Sequence, residues 1–116
     1  MRSVNEFSEI YLCREPVDMR KSIGGLSVLA QEQMGADWTK TQLFVFSNRR
    51  RNLMKIIYFD RSGFALWTKR LEESKFSWPK DLDEARVMMT SRDLEMLLSG
   101  INVWTRFKNF EYRTVI

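Results

Sequence analysis

Leu43-Phe44-Val45-Phe46, Ser47-Asn48-Arg49-Arg50-Arg51-Asn52, Leu53-Met54-Lys55-Ile56-Ile57-Tyr58-Phe59, Asp60-Arg61-Ser62-Gly63 and Phe64-Ala65-Leu66-Trp67-Thr68-Lys69-Arg70 follow one another without interruption. Three runs rich in aromatic and β-branched residues are separated by two polar segments, the pattern of an antiparallel meander. In the first two runs both alternating sets are large and apolar: Leu43 and Val45 against Phe44 and Phe46, then Ile57 and Phe59 against Met54, Ile56 and Tyr58. Such a sheet needs cover on both faces, one from a helix and the other from a further element or another subunit. The first turn carries three consecutive arginines.

Upstream, Phe7 to Leu12 reads as a first strand with Ile10 and Leu12 on one face, and Arg14-Glu15-Pro16 ends it because proline cannot donate to a ladder. Residues 1 to 6 read as a polar, mobile lead. Asp18 suits the N-cap of a helix running to about Met34, with Gly35 as its stop. Met19, Ile23, Leu26, Ala30 and Met34 recur at spacings of three and four, which makes one face apolar. Gly24 and Gly25 inside that helix cost about 1 kcal/mol each relative to alanine, so they mark a close approach to the sheet or a break.

Downstream, Lys75 to Trp78 reads as a fourth short strand ended by Pro79. An acidic loop and the run Val87-Met88-Met89 come next. Thr90 with Asp93 three positions later forms a capping sequence for a short helix carrying Leu94, Leu97, Leu98 and Ile101, which meets Gly100. The expected architecture is α+β: an antiparallel sheet of four to five strands with one longer N-terminal helix and one short C-terminal helix. One domain accounts for residues 1–116, with a core at 10–101 and an aromatic and basic extension at 102–116.

Composition narrows the function. The single cysteine, Cys13, excludes an intramolecular disulfide and reads as a buried thiol, so a reducing, cytoplasmic setting is expected. No apolar run approaches the roughly 20 residues of a membrane helix. The absence of histidine removes the commonest general base and, with one cysteine, the usual zinc arrangements. Net charge is +4, and between Asn48 and Arg70 seven basic residues face one acid, Asp60. No cofactor and no metal is expected.

With these residues laid out, the chain resembles the TnpB accessory proteins of the insertion-sequence sixty-six family of bacterial transposable elements. The resemblance is carried by Asp18-Met19-Arg20-Lys21 with Gly25-Leu26, Leu43-Phe44-Val45-Phe46 leading into Asn48-Arg49-Arg50-Arg51, and Lys55-Ile56-Ile57 with Asp60. It continues through Ser62-Gly63-Phe64, Lys69-Arg70-Leu71-Glu72, Phe76-Ser77-Trp78-Pro79 and Leu97-Leu98-Ser99-Gly100-Ile101. It spans about residues 10 to 101 and leaves the tail from Asn102 outside. The resemblance implies a part in transposition beside a separate, larger protein that cuts the strands.

Candidate DNA-binding residues are Arg49, Arg50 and Arg51, extended by Lys55, Lys69 and Arg70 and by Arg20 and Lys21 near the first helix. Arginine pairs bidentately with phosphate, and a turn between strands aims several guanidiniums outward together. The competing reading of the arginine run is a solvated hairpin loop that discourages edge aggregation. Lys55 has a competing role as a rim residue whose stem covers the core. Arg20 has one as the partner of Asp18. Asp18, Asp60 and Glu72 are the carboxylates that a metal-dependent nuclease would need, but Asp18 suits a cap and Asp60 a turn, so no enzymatic activity is expected. The expected function is a non-enzymatic accessory factor for transposition. Its expected partners are DNA, as element ends or non-specific duplex, the transposase of the same element and a second copy of the chain, with no membrane. The alternative is a protein-interaction module without DNA affinity that binds the transposase through anchors such as Trp38, Trp67, Trp104 and Phe110.

Overall fold

In the computed structural model, which describes residues 3–79 and 84–101, five strands form one sheet in the order β4-β3-β2-β1-β5. The strands are β1 (Glu9–Cys13), β2 (Gln42–Ser47), β3 (Leu53–Asp60), β4 (Gly63–Arg70) and β5 (Arg86–Met89). The helices are α1 (Ile23–Met34), between β1 and β2, and α2 (Ser91–Leu98), after β5. The meander stands as read: β2, β3 and β4 pair antiparallel in sequence.

The sheet is mixed, not purely antiparallel, because β1 lies parallel to β2 with Glu9 beside Gln42 and Leu12 beside Val45. A tight turn reverses the chain, whereas a helix between two neighbouring strands returns it to its starting end, and α1 is such a crossover. The expected fourth strand at Lys75–Trp78 is instead irregular, although Phe76 N–H donates to the Arg51 carbonyl (2.6 Å) as a strand would. The fifth strand forms from Val87-Met88-Met89 with Arg86, antiparallel to β1.

The longer helix is not the first helical element, since a 3-10 turn at Val4–Glu6 precedes it and buries Val4 against the core. Nor does α1 begin at Asp18. Its N-cap is Ser22, and Asp18 closes a separate turn in which its carbonyl accepts from Lys21 N–H (3.1 Å) and its carboxylate from Arg20 N–H (3.0 Å). Gly24 and Gly25 therefore lie in the first helical turn. A Cβ on either would meet only Ser22 or Lys21, so neither marks a close approach to the sheet.

Both faces of the sheet are covered. Tyr11, Phe44, Phe46 and Ile57 pack under Leu26, Ala30 and Met34 of α1. The opposite face, with Leu12, Leu43, Val45 and Ile56, is closed by Val4 and Phe7, by Phe76 and Trp78, and by Leu94 and Leu97 of α2. Each fully buried large side chain contributes about 1.5–3 kcal/mol, so strands this apolar hold both layers to the sheet. α2 opens on the expected capping box, Thr90 with Asp93. It closes with Gly100 at φ 86, where Gly100 N–H donates to the Leu97 carbonyl (3.0 Å) and Ile101 N–H to the Met96 carbonyl (3.0 Å). No helix among the described residues is long and apolar enough to cross a membrane.

Candidate nucleic-acid interface

The strand directions bring the basic segments to one end of the sheet. β1 and β2 finish there, β3 starts there and β4 finishes there, so the 14–21 segment, the arginine turn and Arg70 are neighbours. Leu71 N–H donates to the Asn52 carbonyl (2.8 Å) and Val17 N–H to the Ser47 carbonyl (2.9 Å), which ties these segments together.

Asn48 builds the arginine turn. Its side-chain oxygen accepts from Asn52 N–H (3.1 Å) and Leu53 N–H (3.0 Å), its amide donates to the Asn52 side-chain oxygen (2.6 Å), and its carbonyl accepts from Arg51 N–H (3.1 Å). Closure requires Arg51 in the left-handed region, φ 58. Arg49 and Arg50 are thereby exposed at the tip. Among the described residues Arg49, Arg50 and Arg70 have no side-chain partner.

Arg51 is turned inward. Its guanidinium lies 5.0 Å from the Trp78 ring centroid and donates through Nη2 to the Arg14 carbonyl (3.1 Å), while Nη1 is buried without a hydrogen bond. Burial lowers its pKa from the usual arginine value. Trp78 is held in turn by its indole N–H on the Cys13 carbonyl (2.9 Å).

The two lysines of the sheet point to opposite faces and bind backbone. Lys55 Nζ donates to the Met19 carbonyl (2.6 Å) and the Lys21 carbonyl (3.3 Å), fixing the turn that precedes α1. Lys69 Nζ donates to the Leu98 carbonyl (2.9 Å), where a cation complements the helix C-terminus. Arg20 pairs with Asp18 through Nη2 (2.8 Å) and Nε (3.1 Å to Oδ1). That contact, foremost the side-chain hydrogen bonds from Arg20, holds the Asp18 carboxyl down at about 2. Lys21 is exposed beside Ser22, which has no side-chain capping bond.

Thus Arg49, Arg50, Arg70 and Lys21 are directed to solvent at this end, Arg20 is charge-paired, and Arg51, Lys55 and Lys69 bind the scaffold. Two further basic residues lie along β1 and β5. Arg14 is paired with Glu15 (2.8 Å), and Arg86 stacks over Tyr11 (4.3 Å) and donates to the Met34 carbonyl (2.9 Å). Nothing local in the sequence singles them out, because β5 reaches β1 only through the fold.

Asp60 ends β3 at the far end of the sheet from Asp18, and the described residues hold no group of three His, Cys, Asp or Glu that could bind a metal ion. Trp38 packs edge-on between Phe44 (5.3 Å) and Phe64 (4.9 Å), and Trp67 is half-buried against the α2-side core. Trp104 and Phe110 lie outside the described residues. Cys13 is buried, which pushes its thiol pKa up.

Residues 8–108 match the family model described as IS66 Orf2 like protein, which extends the resemblance by two residues before Ile10 and seven beyond Ile101, so the first part of the tail from Asn102 falls inside the family and not outside it. The chain is 36% identical over 99 residues to the uncharacterized protein y4jC of Sinorhizobium fredii, covering 85% of this chain and 83% of that protein. It is 32% identical over 93 residues to the uncharacterized protein y4hO of the same organism, covering 80% of each. No solved structure matches it significantly. On a match through all five strands and both helices, the chain belongs to the IS66 Orf2-like protein family.

Proposed function

We propose that this chain is a non-enzymatic accessory factor of IS66-type transposition that binds duplex DNA through its phosphates. Arg49, Arg50 and Arg70 are the primary contacts, Lys21 extends the surface, and Arg20 joins it when a phosphate displaces Asp18. Arg51, Lys55 and Lys69 act as positioning residues that hold the arginine turn, the 18–21 turn and α2. The observation that carries the reading is a set of guanidiniums at one sheet end with no partner among the described residues, Arg49 and Arg50 on the turn that Asn48 fixes and Arg70 at the end of β4 beside it. The turn is already ordered, so binding a phosphate fixes only the side chains and not the backbone beneath them. Backbone contact with little base readout follows, because the tip is a short loop and not a helix that enters a groove.

The alternative, a transposase-binding module without DNA affinity, loses one of its anchors to the packing of Trp38 between Phe44 and Phe64. Binding of the purified chain to duplex DNA across a salt series separates the two. Replacing Arg49, Arg50 and Arg70 together by alanine lowers the slope of log K against log salt by about 2.7 if each neutralises one phosphate. An unchanged slope removes them from the interface, and affinity that appears only with the transposase present favours the alternative.

A further inference from the structure

We propose that β4 is a self-association edge, on which a second copy of the chain adds its own β4 antiparallel about a two-fold axis at Trp67. β4 ends the sheet and spans eight residues, whereas β5 at the other margin spans four. The bond from Leu71 N–H to the Asn52 carbonyl continues the β3–β4 register. Odd-numbered residues of β4 therefore direct their backbone groups to β3, and Phe64, Leu66, Thr68 and Arg70 direct theirs outward. Those outward groups have no partner among the described residues.

Edges of this length are ordinarily shielded by proline, a bulge or inward-pointing charge. β4 has no proline, and its register with β3 runs unbroken from Asp60 beside Gly63 to Leu53 beside Arg70. Of its two cations, Lys69 is drawn away to the Leu98 carbonyl. Phe64 and Leu66 on one face and Ala65 and Trp67 on the other are only half-buried.

Charge complementarity selects a second copy. Antiparallel pairing about Trp67 sets Arg70 opposite Phe64 and Thr68 opposite Leu66, and it brings Arg61 of one copy toward Glu73 of the other. No like charges oppose. A parallel arrangement would bring the Lys69-Arg70 ends of the two copies together. The two-fold also consumes both long edges and closes the assembly. This inference stands independently of DNA binding.

Sedimentation over a concentration series, with amide hydrogen exchange at both extremes, tests it. The expected result is a doubling of the 13.9 kDa mass with concentration and slowed exchange at Leu66 and Thr68 in the dimer. Thr68→Pro removes only an outward N–H, so the monomer retains its ladder and stays monomeric throughout. If that variant does not fold, the exchange measurement on the unsubstituted chain decides alone. A monomer at every concentration, a dimer whose Leu66 and Thr68 amides exchange as fast as in the monomer, or a dimer that persists in folded Thr68→Pro overturns the proposal. Protection of those amides only on adding another protein overturns the second copy as occupant.

Discussion

The Arg51 guanidinium sits 5.0 Å from the centre of the Trp78 ring, so the third arginine of the basic turn belongs to the core that the first two stand on. Arg51→Ala removes the stack and the bond to the Arg14 carbonyl and lowers stability by about 2 kcal/mol. Arg51→Gly loses the same contacts but relieves the left-handed backbone, so it is about 1 kcal/mol more stable than the alanine variant. Urea unfolding of both variants measures the order, and equal stabilities would show that φ 58 carries no strain.

Arg49→Ala and Arg50→Ala behave oppositely. Each leaves the urea midpoint unchanged, because neither side chain touches the fold, and each reduces the salt slope of DNA binding by about 0.9. A slope that falls for Arg51→Ala but for neither of these would place the phosphate contact on the inward residue.

The Asp18–Arg20 pair sets a pH dependence with a definite sign. The folded carboxyl is lowered to about 2 from 3.8, so the unfolded chain binds the proton first. The stabilisation is complete above about pH 4 and is lost as pH falls through about 2. A carboxyl titration followed by NMR reads a midpoint near 2 for Asp18, and Arg20→Ala returns it toward 3.8. An unmoved midpoint would assign the shift to another group.

Both ends of α2 are held by local devices that single substitutions remove. Thr90→Ala breaks the capping box and costs about 1 kcal/mol. Gly100→Ala forces a side chain into φ 86 and costs a similar amount, about 1 kcal/mol. Thermal unfolding checks both. No change in either would mean that α2 is set by packing of Leu94 and Leu97 alone.

Local patterns were legible where the physics is local. Alternation from Leu43 to Arg70 identified three strands and two turns, Thr90 and Asp93 marked the start of α2, and Leu26, Ala30 and Met34 identified the face that α1 buries, whereas Met19, read as part of that face, lies in the turn ahead of the helix. Asp18 misled because an aspartate that closes a turn and one that caps a helix look alike in sequence, and only the chain path put Ser22 at the cap. Phe76 and Trp78 mimicked a strand because both are buried on one side, although their backbone is irregular.

By itself the amino-acid sequence determined the meander, the two buried faces and the wealth of cation in its first turn, since each follows from residues close along the chain. Tertiary structure decided that β1 runs parallel to β2 and that β5 closes the sheet, because pairing across a crossover depends on where a helix returns the chain. It also decided the division among the arginines. Arg49 and Arg50 stay in water while Arg51 turns onto Trp78, a ring that comes within reach only when the chain beyond β4 folds back under the sheet.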